Sequence, residues 1–197
     1  MKRIPINDPD SIKQAVETLL QGGVAAHPTD TIYGLAADAE NEAAVARVYA
    51  VKGRDPAKDL LIAVPNLDVA QRYVHITPLA KSLAQKYLPG PLSLVLARKN
   101  DAATAIGAHS GTIGIRLPAH PWMQGLMEKL DCGITSTSVN RSGAPPLADP
   151  GEIGKELGEE IDLLVDANIL SGAPSTVVEA RGEKPVILRQ GSLFIEK

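Results

Sequence analysis

Four short stretches carry the side chains that could do chemistry. In Pro28-Thr29-Asp30-Thr31 hydroxyls alternate along what reads as the end of a strand led in by Val24-Ala25-Ala26, and an extended chain there points Thr29 and Thr31 the same way. Lys52, Arg54 and Lys58 bring three cations to the end of a helix and just beyond it. In Thr112-Ile113-Gly114-Ile115-Arg116 strict alternation puts Thr112, Gly114 and Arg116 on one face. Gly133 to Asn140 is a hydroxyl-rich strand in which Ser136, Ser138 and Asn140 share a face. Hydroxyls and amides facing guanidinium and ammonium groups suit an anion, most simply a phosphate ester.

Each stretch also has an ordinary explanation. Thr is at home in strands, Ser and Asn are common where strands become loops, and Lys52 and Arg54 are favourable charges at a helix C-terminus. A core strand reading Ser-x-Ser-x-Asn must nevertheless find partners for those groups, and a shared polar cleft supplies them. Familiar alternatives are missing from the sequence. There is no GxxxxGK[ST], no GxGxxG, no H-E-x-x-H and no G-x-S-x-G elbow. His27, His75, His109 and His120 show no metal-ligand spacing, so no resident metal site is expected. Cys132, beside Gly133, reads as a small buried residue.

The elements that must position these groups follow from periodicity. Asp10-Ser11 can cap a first helix with Ile12, Ala15, Val16, Leu19 and Leu20 at helical spacing and Gly22-Gly23 as its stop. After Tyr33-Gly34 the spacing becomes helical, with Asn41 as N-cap and Ala44, Val45, Val48 and Val51 facing inward. Residues 60–64 read as a buried strand, 67–74 as a short helix, and Thr77-Pro78 starts another helix that breaks at Pro89-Gly90-Pro91. Residues 92–97 and 112–117 are strands separated by a polar loop from Lys99 to Gly111, and Pro121 opens a helix through Leu130. A loop from Arg141 to Gly151, a helix over 152–160 and short strands at 163–165, 176–178 and 186–189 complete the chain. The alternation of strand and helix predicts an α/β sheet, with mixed pairings added near the C-terminus.

Composition sets the outer bounds. At 197 residues and 44% hydrophobic content the chain fits a single domain with one substantial core. Asp and Glu outnumber Lys and Arg by 23 to 20, so no global field recruits nucleic acid or an anionic membrane. One cysteine excludes an internal disulfide framework. The N-terminal residues lack the apolar run of a signal peptide and no segment approaches a membrane span, which predicts a cytoplasmic protein without membrane contact.

The order of motifs also resembles that of a known family. Pro28-Thr29-Asp30-Thr31-Ile32-Tyr33-Gly34, Lys52-Gly53-Arg54, Pro89-Gly90-Pro91-Leu92-Ser93-Leu94-Val95-Leu96, Ile115-Arg116-Leu117-Pro118-Ala119-His120-Pro121, Ser136-Thr137-Ser138-Val139-Asn140-Arg141-Ser142-Gly143 and Leu188-Arg189-Gln190-Gly191 are similar to the successive motifs of the YrdC family, the threonylcarbamoyl-AMP synthases. The resemblance spans about Ile12 to Gly191 and implies a single YrdC-like domain over 1–197, a twisted mixed sheet flanked by helices with a concave ligand-binding face. It is to the short members, without the additional C-terminal domain of the longer ones.

The resemblance implies a reaction in which L-threonine, bicarbonate or CO2, and ATP carried with Mg²⁺ give threonylcarbamoyl-AMP and pyrophosphate. The product passes to a transferase complex that modifies adenosine 37 of tRNA. By position, Thr31, Arg116 and Ser136 would hold threonine; Arg54, Lys58, Thr112, Ser138, Pro146 and Arg189 would hold ATP; and Lys52 and Asn140 would complete a catalytic set with Arg54 and Ser138. The chain departs from the family pattern at Asp55 and Asp59, where proline is common, and at Ala63, where some members have histidine. Two rival readings follow: a paralogue acting on another carbamoyl or adenylate substrate, and a module that binds double-stranded RNA or ribosomal precursors by shape through the same concave face, on which weak binding of tRNA or double-stranded RNA is also expected.

Overall fold

The computed structural model describes residues 1–99, 102–103, 106 and 110–195. His109 and much of the 99–111 loop expected from the sequence lie outside the described residues. Ten strands of the described residues form one sheet: β1 (Lys2–Pro5), β2 (Ala25–His27), β3 (Gly34–Ala36), β4 (Leu61–Ala63), β5 (Leu92–Ala97), β6 (Thr112–Arg116), β7 (Ile134–Ser138), β8 (Leu163–Asp166), β9 (Thr176–Glu179) and β10 (Val186–Arg189). Among the described residues six helices connect them: α1 (Ser11–Leu20), α2 (Glu42–Lys52), α3 (Leu67–Tyr73), α4 (Pro78–Tyr87), α5 (Pro121–Leu130) and α6 (Pro150–Leu157).

The strand order is β1-β8-β2-β3-β7-β4-β6-β5-β9-β10, with parallel pairs at β1/β8, β8/β2, β4/β6 and β5/β9 and antiparallel pairs elsewhere. The mixed sheet flanked by helices is the fold class that the sequence predicts. Two strands were not anticipated. β1 carries charged residues and one buried position, Ile4, so it shows no alternation worth reading. β3 is only Gly-Leu-Ala, buried throughout, and sits where the sequence suggests a lead-in to α2. β2 also ends at His27, earlier than expected, because Pro28 removes a ladder donor. The helix expected over 152–160 starts at Pro150 and ends at Leu157, with Asp149 accepting from the Gly151 amide as its cap.

On one face of the sheet α2, α3, α4 and α6 contribute Val45, Val48, Val69, Leu83, Ile153 and Leu157 to a core that includes Leu35, Ile62, Leu94, Leu96, Ile113, Ile115 and Val178 from the strands, while β10 lies beyond it, exposed along its length. On the opposite face α1 and α5 pack Leu19, Trp122, Met123 and Leu126 on Ile4, Ala25, Ala36, Leu163 and Val165, and this cluster reaches no further than Ala63 and Ile134. The period-2 alternation therefore sends Ser93, Gly114, Arg116, Ser136 and Ser138 to a half-face that no helix covers. That uncovered half is the cleft.

Candidate active site

The cleft holds about 330 Å³ and is lined by three guanidinium groups, Arg54, Arg116 and Arg189, by the hydroxyls of Thr29, Thr31, Ser93, Ser136, Ser138 and Ser175, and by Pro146 and Asp59. Strand register fixes where these sit. Leu61 of β4 lies beside Gly114 and Ser136, while Ala63 lies beside Arg116 and Ile134. Arg54 and Ser138 therefore belong to the end of the cleft where β4 begins, and Arg116 to the end where it finishes. Arg189 pairs level with Val177, which in turn is level with Ser93 and Arg116, so it stands at the same height as Arg116 but three strands away.

The Thr29–Thr31 segment is a turn rather than a strand, yet the two hydroxyls still meet at 2.9 Å. Thr29 Oγ1 accepts from the amides of Thr31 and Ile32 at 3.0 and 3.2 Å and donates to Ile32 O at 2.7 Å. The turn is thus closed by its own side chain, as short hydroxyl residues favour. Thr31 Oγ1 accepts from Arg116 Nη1 at 3.0 Å, and Arg116 Nη2 donates to Asp30 Oδ1 at 2.7 Å. Arg116 is 5% exposed, and burial lowers its pKa while Asp30 opposes that change.

At the other end Lys52 is not among the residues that line the cleft. It is buried, 2% exposed, and Nζ donates to Ser138 O at 2.6 Å, Asn140 O at 3.1 Å and Asn140 Oδ1 at 2.8 Å. All three ammonium donors are used by the chain itself, so Lys52 does not face the cleft as a phosphate ligand. It holds the turn in which Ser138 Oγ donates to Asn140 Oδ1 at 2.6 Å and Asn140 Nδ2 donates to Arg141 O and Ala144 O at 3.0 and 2.6 Å. Burial, and after it the Arg54 charge, lowers the Lys52 pKa to about 8. Asn140 itself lies past the end of β7, so the expected strand reaches only Ser138.

Arg54 follows the left-handed Gly53 that ends α2 and lines the cleft, with Nε and Nη2 donating to Lys58 O and Asp59 O at 3.2 and 2.9 Å. Two residues expected at the nucleotide do not line the cleft. Lys58 is exposed, and Thr112 is buried against the Ser110 hydroxyl at 2.6 Å. Of the acidic departures, Asp55 is exposed and accepts from the Ala57 amide at 2.9 Å, whereas Asp59 lines the cleft and accepts from Ser110 Oγ. Ala63 is packed into the α1/α5 cluster.

Sequence reasoning did not single out Asp30, Ser93 or Ser175. Arg189 Nη2 donates to Ser175 O at 2.9 Å, and Ser175 Oγ meets Ser93 Oγ at 3.0 Å. Ser93 carried a signal, a lone hydroxyl in the apolar run of β5 that is fully buried in the fold. Ser175 lies in an irregular segment where no period exists to mark it. Partial burial, and then the charge of Arg116, lowers the pKa of Arg189.

Among the described residues no group of three or more His, Cys, Asp or Glu side chains could hold a metal. Among the same residues no helix is long and apolar enough to cross a membrane. The cleft is therefore suited to an anionic ligand with a polar companion, gripped by guanidinium and hydroxyl groups.

Residues 17–191 match the Sua5/YciO/YrdC family model, described as "Telomere recombination". The chain is 34% identical to the threonylcarbamoyl-AMP synthase of Bacillus subtilis over 97% of its length, and spans 56% of that relative. Its identity to the threonylcarbamoyl-AMP synthase of Vibrio vulnificus is 30%, covering 92% of this chain and 98% of the relative. Among solved structures, P. abyssi Sua5 complexed with L-threonine superposes with a TM-score of 0.91 at 30% identity, covering 98% of this chain and 58% of that one. E. coli YciO superposes with a TM-score of 0.87 at 28% identity, covering 96% and 94%. A family match over most of the chain, on the sheet and cleft just described, places this protein in the Sua5/YciO/YrdC family.

Proposed function

We propose that the protein is a threonylcarbamoyl-AMP synthase, condensing L-threonine, bicarbonate or CO2, and ATP into threonylcarbamoyl-AMP and pyrophosphate. The observation that carries this reading is the division of one cleft into two anion-holding ends. Arg116 and Thr31 make one end, and Arg54, Ser138 and Pro146 make the other, with Ser136 between them. That layout suits an amino acid and a nucleotide held side by side. The relatives named as threonylcarbamoyl-AMP synthases, and the P. abyssi Sua5 complex with L-threonine, support it.

In this reading Arg116 and Thr31 hold the threonine carboxylate, with Ser136 beside it. The amine, once it has lost a proton, attacks CO2, and the carbamate oxygen attacks the α-phosphorus as pyrophosphate leaves. No enzyme nucleophile is needed; the work is alignment and neutralisation of charge. Arg54, Ser138, Pro146 and Arg189 hold the nucleotide. Lys52 and Asn140 act by fixing Ser138 and the following turn. Mg²⁺ carried by ATP would offset phosphate charge. The cation would be held mainly by the phosphates, with Asp59, which lines the cleft, as the carboxylate that would face it. The adenylate would be consumed in the cytoplasm by a transferase complex acting on tRNA.

The test is to incubate the protein with ATP, Mg²⁺ and bicarbonate, with and without L-threonine, and to measure pyrophosphate alongside the adenylate by mass spectrometry. Threonine-dependent pyrophosphate with a threonylcarbamoyl-AMP peak is the expected outcome. ATP binding without that product would overturn the reading.

A further inference from the structure

The guanidinium groups on the cleft are not held alike. Arg54 donates to the carbonyls of Lys58 and Asp59, and Arg189 to Ser175, whereas Arg116 is ion-paired with Asp30 at 2.7 Å. The pair is largely withdrawn from water, its side chains 6% and 15% exposed. Burying two charges costs desolvation that their attraction often fails to recover, so stability alone does not account for it.

The hydrogen bonding of the pair is also incomplete. Arg116 Nε, a donor, and Asp30 Oδ2, an acceptor, are buried with no partner among the described residues. Two imidazoles act on the pair electrostatically, His120 on Asp30 and His27 on Arg116, and each has one buried nitrogen with no partner among the described residues. Burial drives both imidazoles towards neutrality, so Asp30 supplies the formal counter-charge to Arg116. The result is an ion pair of no net charge, buried at the end of the cleft that Arg116 lines.

We propose that Asp30 makes the Arg116 end of the cleft selective for a zwitterionic α-amino acid over a bare anion. A carboxylate approaching Arg116 necessarily comes close to Asp30. A ligand that brings its own ammonium group compensates that charge, with its carboxylate toward Arg116 and its ammonium toward Asp30. A phosphate or a hydroxy acid brings no such group and is repelled. Without Asp30 the triphosphate of a nucleotide already held at Arg54 and Arg189 could also occupy Arg116. Asp30 is thus a specificity-determining residue, and its role rests on the proposed reading of the cleft as an amino-acid and nucleotide site.

The experiment is calorimetric titration of wild type and Asp30→Asn with a panel of L-amino acids including threonine. Each is paired with the analogue carrying a hydroxyl in place of the ammonium, and pyrophosphate serves as the anion probe. Wild type should bind its preferred amino acid on the order of 10²-fold more tightly than the hydroxy analogue. Asp30→Asn should bring that ratio to within about threefold and let pyrophosphate compete with the amino acid. An unchanged ratio in a variant that melts like wild type would overturn the proposal. So would equal binding of the two analogues by wild type, which needs no variant to fold. Preference for a different amino acid would leave the charge filter standing and overturn the threonine reading; binding of none would remove both.

Discussion

Two basic residues near the cleft do different work, and single substitutions should separate them. Arg116 reaches Thr31 and Asp30 through two nitrogens of one planar group, a geometry an ammonium cannot copy. Arg116→Lys should keep the charge yet raise KM for threonine by about tenfold or more, measured by initial rates of pyrophosphate release. Lys52 differs because its donors are spent on Ser138 and Asn140. Lys52→Met strands those oxygens and should lower stability by about 1–3 kcal/mol in urea unfolding as well as abolishing turnover. Arg54→Ala should lose activity and keep its stability. The sequence marked both residues as chemical but did not separate them, since it puts Lys52 two residues before Arg54 without showing that Lys52 points inward. Lys52 also has a pH signature. Its folded pKa lies near 8, below the ordinary value of 10.5, so the unfolded chain binds more protons between those values. Stability should therefore rise with pH across that window, and melting scans of Lys52→Met should lack the rise.

The segment joining β8 to β9 forms one lip of the cleft through Pro174 and Ser175. Gly172 in that segment lies directly on the Thr31 backbone: a Cβ there would stand 1.7 Å from Thr31 O. Neither side of that contact is a flexible side-chain end, so Gly172→Ala must push the lip from the Thr29–Thr31 turn. It should weaken threonine binding by about tenfold and cost about 1–3 kcal/mol, read by calorimetry and urea unfolding. Gly182→Ala, with open space around it, is the control expected to do neither. Elements with a capped or alternating pattern were legible in the sequence. Asn41 does cap α2 by accepting from Ala44 N at 3.1 Å, and β5 and β6 lie where their alternation puts them. The lip was not legible, because its position depends on a glycine meeting a backbone 141 residues earlier (172 − 31) and on no local period.

Across the whole molecule, acid should expose a weakness beside the site. His27, 2% exposed and stacked on Trp122 with ring centroids 6.2 Å apart, has its pKa lowered by burial from 6.5 to about 4. The unfolded chain takes up that proton first as pH falls. Stability is therefore intact above about pH 6.5 and should lose about 3 kcal/mol on the way to pH 4. His27→Gln should flatten that loss in urea midpoints taken at both pH values. The fold class was readable from the alternation of strands and helices, but the strand order was not. β8 sits between β1 and β2, and β7 between β3 and β4, through pairings the local sequence does not encode. The same long-distance stitching has a consequence for synthesis. Thr31 meets Arg116 across 85 residues, Lys52 meets Asn140 across 88 and Tyr33 meets Asn168 across 135. Closing such loops slows folding. A chain emerging from the ribosome can shape α1 and α2 early, yet its cleft lacks one of its three lining guanidinium groups until Arg189 has left the exit tunnel.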